Sequence, residues 1–194
     1  MDIAGGHANW RNTTARYGAL SIGLHWFMLL LLAAVYATIE LRGQFPKGSA
    51  PREAMKMWHF MLGLSVFVLV WVRLAARLAG VQPRIDPAPP KWQSFSAGLM
   101  HAALYLLMIG MPLLGWLTLS AEGKPIPFFG LELPALIGEN KGVADWAGEI
   151  HETAGAVGYF LIGLHAAAAL FHHYFVRDNT LQRIIPVRTA RRPS

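Results

Sequence analysis

The last apolar run of the chain, residues 153–176, contains no aspartate, glutamate, lysine or arginine over 24 residues, yet it carries several histidines. About 20 apolar residues suffice for a helix that crosses a bilayer. His151 lies just before this run, His165 lies inside it, and His172 and His173 lie near its end. Ionisable side chains inside a membrane are costly and generally mark functional sites. The segment therefore predicts a membrane helix whose histidines have a chemical role.

The spacing of these histidines places them on one face of that helix. His151 and His165 are 14 residues apart, which is about 21 Å of helical rise and within about 40° of whole turns. His172 lies seven residues further along, roughly on the same stripe. We expect His151 and His165 each to bind the iron of a separate haem, one near each side of the membrane. The opposite ligands must then come from the rest of the chain.

Composition places the whole chain in a membrane. Of 194 residues, 54% are hydrophobic and 14% are charged, and the apolar residues are clustered, as in membrane proteins. The chain has no cysteine, which excludes c-type haem attachment, iron–sulfur clusters and disulfides. The net charge is +6, but no soluble domain offers a groove-reading motif, so we expect no nucleic-acid partner.

Four apolar segments predict an all-α fold, an integral membrane four-helix bundle. The spans lie at about 18–39, 57–78, 95–119 and 150–176. They divide the chain into an N-terminal extension (1–16), a membrane domain (17–176) and a basic C-terminal tail (177–194). The proline-rich segment 79–92 and the longest loop, 122–149, are expected to be irregular, and Pro112 predicts a kink in the third span. Arg73 and Arg77, in the last turns of the second span, can extend to the lipid headgroups.

The basic residues predict the orientation in the membrane. Four spans put both termini on one side, and of the 17 lysines and arginines eleven fall on that side and six on the other. Cytoplasmic loops carry the excess of such residues, so we expect both termini to be cytoplasmic. The eleven are Arg11, Arg16, Arg73, Arg77, Arg84, Lys91, Arg177, Arg183, Arg188, Arg191 and Arg192.

With that orientation, the histidines pair by depth. His25 and His165 fall in the inner half of the membrane, and His59 and His151 fall in the outer half. Two depth-matched pairs predict two haems stacked across the bilayer. His101 also lies in the inner half and competes with His25 for the inner haem.

Two further patterns concern the haem space and the inner surface. Gly63 and Gly155 each follow a predicted ligand by one turn, and small residues there would let a macrocycle approach the backbone. His172 has two open interpretations: it faces lipid headgroups, or it hydrogen-bonds or protonates a quinone. A transition-metal site is a rival use of the histidines, but two levels about 21 Å apart allow only separate sites with few ligands each.

Several short motifs resemble the bacterial cytochrome b561 family over about residues 16–188. They are Ile22-Gly-Leu-His25-Trp26, Arg42-Gly-x-Phe-Pro46, Trp58-His59-x-x-x-Gly63, His151-Glu-Thr-x-x-x-x-Gly-Tyr159 and the run from 158 to 186. The resemblance implies a four-helix bundle in the bacterial inner membrane that binds two b-type haems. It places the ligands at His25, His59, His151 and His165, and so favours His25 over His101.

The C-terminal run resembles those members of the family that act as superoxide:ubiquinone oxidoreductases. This resemblance implies that electrons pass from superoxide, at the outer face, through the haems to ubiquinone, with His172 at the quinone site. The alternatives are an electron-transfer subunit that serves a dehydrogenase or hydrogenase, and a metal transporter.

A basic loop predicts how an anionic donor is attracted. Segment 40–56 has a net charge of +2 and leads into the span that bears His59. Basic surfaces raise the local concentration of anions. We therefore expect this loop to draw superoxide to the outer haem, through Arg42, Lys47, Arg52 and Lys56.

Overall fold

The computed structural model describes residues 10–186, and four long helices dominate it. They are α1 (Ala19–Leu41), α2 (Ala50–Ala79), α3 (Lys91–Ala121) and α4 (Lys141–Phe171). All four are long and apolar enough to cross a membrane, which confirms the predicted all-α membrane bundle. A 3₁₀ turn (Arg42–Gln44) follows α1, and a π-helical turn (His172–Val176) extends α4.

The two ends of the bundle differ in what covers them. One end carries a small antiparallel hairpin, β1 (Ile126–Phe128) and β2 (Leu131–Leu133), in which Ile126 pairs with Leu133. We call this the hairpin end, and the opposite end, where the described chain begins and ends, the terminal end. Ile126 is buried with Leu64 of α2 and Leu119 of α3, so the hairpin is anchored by apolar contacts to the bundle.

The expectation that residues 122–149 form one irregular loop is wrong. The hairpin occupies part of this segment, and α4 begins at Lys141 instead of about residue 150. Asn140 sets the start of α4, because its side-chain oxygen accepts a hydrogen bond from the Val143 N–H at 3.1 Å, an arrangement typical of helix N-caps. Likewise α2 begins at Ala50 and not near residue 57, with Pro51 in its first turn. The apolar run marks the membrane, whereas capping groups decide where the helix begins.

A small apolar core lies at mid-depth between α1, α2 and α3. Its buried members are Met28, Leu31, Val66, Val70 and Met108. Many large apolar side chains elsewhere on the helices face outward, as lipid-facing residues do. The bundle therefore buries little at its centre and presents an apolar surface to the bilayer.

The fourth helix stands apart from two of the others. It packs against α3, but within residues 10–186 no Cα of α4 comes within 8 Å of a Cα of α1 or α2. Tyr36 of α1 bridges this gap by donating a hydrogen bond to the Gly155 carbonyl at 2.9 Å. Gly158 lies against the same hydroxyl, where a Cβ atom would overlap it. The gap is the space that the histidines of α4 face.

Three segments are joined by hydrogen bonds at the terminal end, namely residues 10–17, 80–90 and 178–186. We call them the terminal cap. The Arg84 N–H donates to Thr14 O at 2.8 Å, and the Tyr17 N–H donates to Arg183 O at 3.4 Å. The indole of Trp26, in α1, donates to Ile184 O at 2.9 Å. These bonds join both ends of the described chain to the connector between α2 and α3.

Candidate functional site

At the hairpin end, His59 of α2 and His151 of α4 face each other across the gap. Their ring centroids are 6.1 Å apart. The Nδ1–H of His59 donates to the Val35 carbonyl at 3.0 Å, because a carbonyl only accepts, and this leaves Nε2 with its lone pair. The buried Nδ1 of His151 has no hydrogen-bond partner among the described residues. Gly115 lies close beside this ring, since a Cβ atom there would be 3.3 Å from His151 Cε1.

At the terminal end, three histidines converge instead of two. The ring centroids of His25 and His165 are 6.3 Å apart, and those of His101 and His165 are 5.4 Å apart. All three rings line a cavity of about 70 Å³ that Arg73 also lines. The two predicted pairs, His25 with His165 and His59 with His151, are thus brought together. His101 joins the first pair, as the sequence left open.

The Nδ1 atoms of His25 and His101, the two candidates for the ligand opposite His165, form different hydrogen bonds. Arg73 Nη2 donates to His25 Nδ1 at 2.9 Å, so this nitrogen accepts, and in the neutral ring the proton lies on Nε2. In contrast, His101 Nδ1 donates to the Ala97 carbonyl at 2.7 Å, which is the pattern usual for a metal-ligating histidine. To bind iron through Nε2, His25 must release the arginine. Arg73 itself turns into the bundle and not, as its sequence position suggested, toward the headgroups.

The facing imidazoles fit a haem better than a bare metal ion. Two metal–nitrogen bonds of about 2 Å each, together with the two ring radii, span roughly the observed 6 Å between ring centroids. Within residues 10–186 no group of three histidine, cysteine or acidic side chains is arranged to hold a bare metal ion. Two imidazoles alone leave a metal ion short of ligands, whereas a porphyrin supplies the remaining ones. The gap beside α4 and the open space at Gly63 also fit a flat group.

His172 lies at the first position of the π-helical turn, beyond the terminal-end histidines. Its Nδ1 is 2.5 Å from Oδ2 of Asp178, a carboxylate that is 2% exposed. The sequence offered no signal for this partner, because a spacing of six residues is not a helical neighbour. The π-helical turn creates the contact, and its occurrence could not be read from local composition.

The four basic residues of segment 40–56 do not have equal surroundings. Arg52 Nη1 donates to the carbonyls of Arg42 and Phe45 at 3.1 and 3.0 Å, so it holds the loop in shape. Lys56 forms an ion pair with Glu53 at 2.5 Å. Among the described residues, Arg42 and Lys47 have no acidic partner within ion-pair distance. These two retain the charge most available to an anion.

Comparison with known proteins places the chain among membrane cytochromes. A family model described as prokaryotic cytochrome b561 matches residues 16–187. Cytochrome b561 homolog 1 of Escherichia coli (strain K12) is 43% identical over 173 residues, covering 89% of this chain and 98% of the relative. The probable superoxide oxidase CybB of Yersinia pestis is 39% identical over 171 residues, covering 88% and 96%. Cytochrome b562 of Cereibacter sphaeroides is 29% identical over 176 residues, covering 89% and 96%.

Proposed function

The chain belongs to the prokaryotic cytochrome b561 family, and from this premise we propose that it is a dihaem b-type cytochrome that oxidises superoxide and reduces ubiquinone. Membership makes it an oxidoreductase-type electron-transfer protein, multi-pass in the bacterial inner membrane, and implies haem b. The number of haems, the donor and the acceptor belong to the proposal. The relative of Yersinia pestis that is named a probable superoxide oxidase supports the choice of donor.

The observation that carries the proposal is the pair of facing imidazoles at each end of the gap beside α4. His59 and His151 would hold one haem, and His165 with His25 would hold the other. Haem held by two imidazoles would supply one-electron chemistry, and it would favour electron transfer over oxygen binding. Tyr36 contacts α4 between the two levels, at Gly155 and Gly158, and so supports the spacing of the helices there.

The donor side lies at the hairpin end, where the charge of segment 40–56 attracts an anion. Arg42 is close enough to the His59 ring for its charge to act on that ring. Its positive charge therefore lies near a proposed haem ligand. We place this end at the outer face and both termini in the cytoplasm, because the terminal side carries eleven of the 17 basic residues. Each superoxide anion that loses one electron leaves as O₂.

The acceptor side lies at the terminal end, where His172 follows His165 by seven residues. Reduction of one ubiquinone to ubiquinol takes two electrons, from two superoxide anions, and two protons from the cytoplasmic side. An imidazole can donate a proton near neutral pH, and His172 is the histidine placed to do so beyond the haem ligands. Its ring would hydrogen-bond the quinone oxygen and protonate it as the electrons arrive.

Purified protein tests the proposal directly. A pyridine-haemochrome assay is expected to give two haem b per chain. Superoxide generated in the cuvette is expected to reduce the haem, an effect that added superoxide dismutase abolishes, and a short-chain ubiquinone is expected to reoxidise it. One haem per chain would end the dihaem assignment. Haem that superoxide fails to reduce would favour the alternative, an electron-transfer subunit for a dehydrogenase or hydrogenase.

A further inference from the structure

The buried carboxylate of Asp178 has no part in the function proposed so far. Asp178 is 2% exposed, and burying an ionised carboxylate is costly unless it is paired and hydrogen-bonded. Its Oδ2 lies 2.5 Å from His172 Nδ1, and its Oδ1 accepts a hydrogen bond from the Thr180 N–H at 2.8 Å. Both oxygens therefore have partners, one of which is the ring that we place at the quinone site.

The backbone is shaped to bring this carboxylate to that ring. After the π-helical turn, Arg177 adopts a left-handed conformation with φ 60° and ψ 35°, which is uncommon for a residue other than glycine. The chain then reverses, and the Asp178 N–H donates to the His172 carbonyl at 3.3 Å. Single π-helical turns within α-helices are frequent at functional sites. Here the turn places residue 178 beside residue 172, which a continued α-helix would not do.

The surroundings keep Asp178 ionised. Burial alone would raise the pKa of Asp178, but hydrogen bonds from His172 and Thr180 hold the pKa below its ordinary value. Arg183, which is 8% exposed and donates to the Pro83 carbonyl at 2.5 Å, adds a positive charge nearby. Tyr17 also faces this cluster, since its ring centroid lies 5.9 Å from the Arg183 guanidinium carbon.

An ionised carboxylate fixes the proton on the facing nitrogen of the ring. Because Asp178 can only accept, His172 Nδ1 must donate, and the exchangeable site of the imidazole is then Nε2. A side-chain carboxylate that orients a histidine in this way is a recurrent device of acid–base catalysis.

We infer that Asp178 is a positioning residue that holds His172 ready to donate its Nε2 proton to a bound quinone. This inference rests on the proposed function. In each protonation step the Nε2–H bond breaks and an O–H bond forms on the quinone oxygen, while the electrons come from superoxide. His172 keeps its Nδ1–H, Asp178 stays ionised, and a proton from the cytoplasmic side restores the imidazolium before the second transfer.

The test compares Asp178→Asn with His172→Gln and measures haem reoxidation by a short-chain ubiquinone against pH. Asp178→Asn is expected to keep both haems and the wild-type rate of reduction by superoxide. Reoxidation should slow by about 10- to 100-fold, by analogy with the loss of a partner that orients a metal-ligating histidine. The pH profile of reoxidation should also change, because the ring has lost the carboxylate that fixes the position of its proton. The exposed Asp86→Asn, on the connector of the terminal cap, is the matched control and should behave as wild type.

The outcomes separate the inference from the function on which it rests. Unchanged reoxidation in His172→Gln would remove His172 from the quinone site. Slow reoxidation in His172→Gln, with a wild-type rate and pH profile in Asp178→Asn, would overturn the inference alone. The double variant should be no slower than His172→Gln, since both residues act in one step, and an additive loss would contradict this. If Asp178→Asn does not fold, Asp178→Glu decides, because a retained carboxylate should preserve the wild-type rate and pH profile of reoxidation, and slow reoxidation in this variant would refute the inference.

Discussion

A histidine can bind a metal only through a ring nitrogen that keeps its lone pair, so the bond made by the other nitrogen decides what each histidine can do. His59 and His101 donate through Nδ1 to backbone carbonyls and leave Nε2 free. His25 Nδ1 accepts a hydrogen bond from Arg73, so in the neutral ring Nε2 carries the proton and is not free. Residues of one type within one bundle are therefore prepared for different roles by single hydrogen bonds.

Alanine variants distinguish the two candidates for the ligand opposite His165. We expect His25→Ala and His165→Ala each to lose one of two haems, and His59→Ala or His151→Ala to lose the other. His101→Ala should keep both, because the family resemblance assigns the ligand to His25. Pyridine-haemochrome quantification provides the measurement. Full haem content in His25→Ala, with one haem missing in His101→Ala, would move the assignment to His101.

Arg73 is expected to raise the reduction potential of the haem at the terminal end. A guanidinium near this site stabilises the reduced, less positive form of the cofactor. Arg73→Gln should therefore lower one of two midpoint potentials by on the order of 50 mV, as expected for a unit charge about 10 Å away in a medium of intermediate polarity. Arg73→Lys should lie closer to wild type in a spectroscopic redox titration. If only the midpoint potential of the haem at the hairpin end shifted, Arg73 would not act on the haem at the terminal end.

At the scale of whole elements, the four spans were readable from the sequence, but their ends and their separation were not. Apolar length identifies a membrane helix, yet the Asn140 cap carries α4 well beyond the apolar run. The pairing of histidines by depth also followed from the sequence, because helix rise fixes depth. The gap beside α4 did not, since it depends on which helix pairs pack closely. The contact of Asp178 with His172 arises from a π-helical turn, which no periodicity of apolar residues in the sequence predicts.

The contact between α1 and α4 makes a prediction about Gly158. A Cβ atom there would overlap the Tyr36 hydroxyl, and it would lie 3.1 Å from the Leu107 side chain. Gly158→Ala should lower the thermal stability of the purified protein, by roughly 1–3 kcal/mol as for overpacked interiors. Gly163→Ala is the matched control on the same helix, because nothing lies within 4 Å of its added Cβ.

Removing the Tyr36 hydroxyl tests whether its overlap with the added Cβ atom causes the loss of stability. The double variant Gly158→Ala with Tyr36→Phe should recover part of the lost stability, because the overlapping oxygen is gone. If Gly158→Ala has the melting temperature of the wild type, the two helices do not approach as closely as described. The same conclusion follows if the separate losses of stability of Gly158→Ala and Tyr36→Phe add in full in the double variant.

For the molecule as a whole, charge is distributed unequally between the ends, and at the hairpin end segment 40–56 has a net charge of +2 whereas segment 122–149 is net acidic. Steering of an anion by such a surface weakens with salt, because the Debye length is about 8–10 Å at ordinary ionic strength. We expect the variant with Arg42, Lys47, Arg52 and Lys56 all changed to Gln to be reduced more slowly by superoxide. Its rate should also depend less on ionic strength, with both haems retained.

The local surroundings refine this expectation. The double variant of Arg42→Gln and Lys47→Gln should reproduce most of the effect, whereas Lys56→Gln should change little because Glu53 already offsets that charge. Stopped-flow haem reduction at several salt concentrations provides the comparison. Equal rates and equal salt slopes for wild type and the fourfold variant would show that superoxide reaches the haem without guidance from this loop.

The terminal cap bears on how the protein is made. Residues 178–186 leave the ribosome after all four membrane helices, and only then can Ile184 accept the hydrogen bond from Trp26, beside His25. Until that moment the bonds that join residues 178–186 to residues 10–17 and to the connector are absent. The Tyr17 N–H then donates to the Arg183 carbonyl, and the Arg183 guanidinium donates to the carbonyl of Pro83 in the connector. A chain that stops before Asp178 would therefore insert four membrane helices without the bonds that close its terminal end.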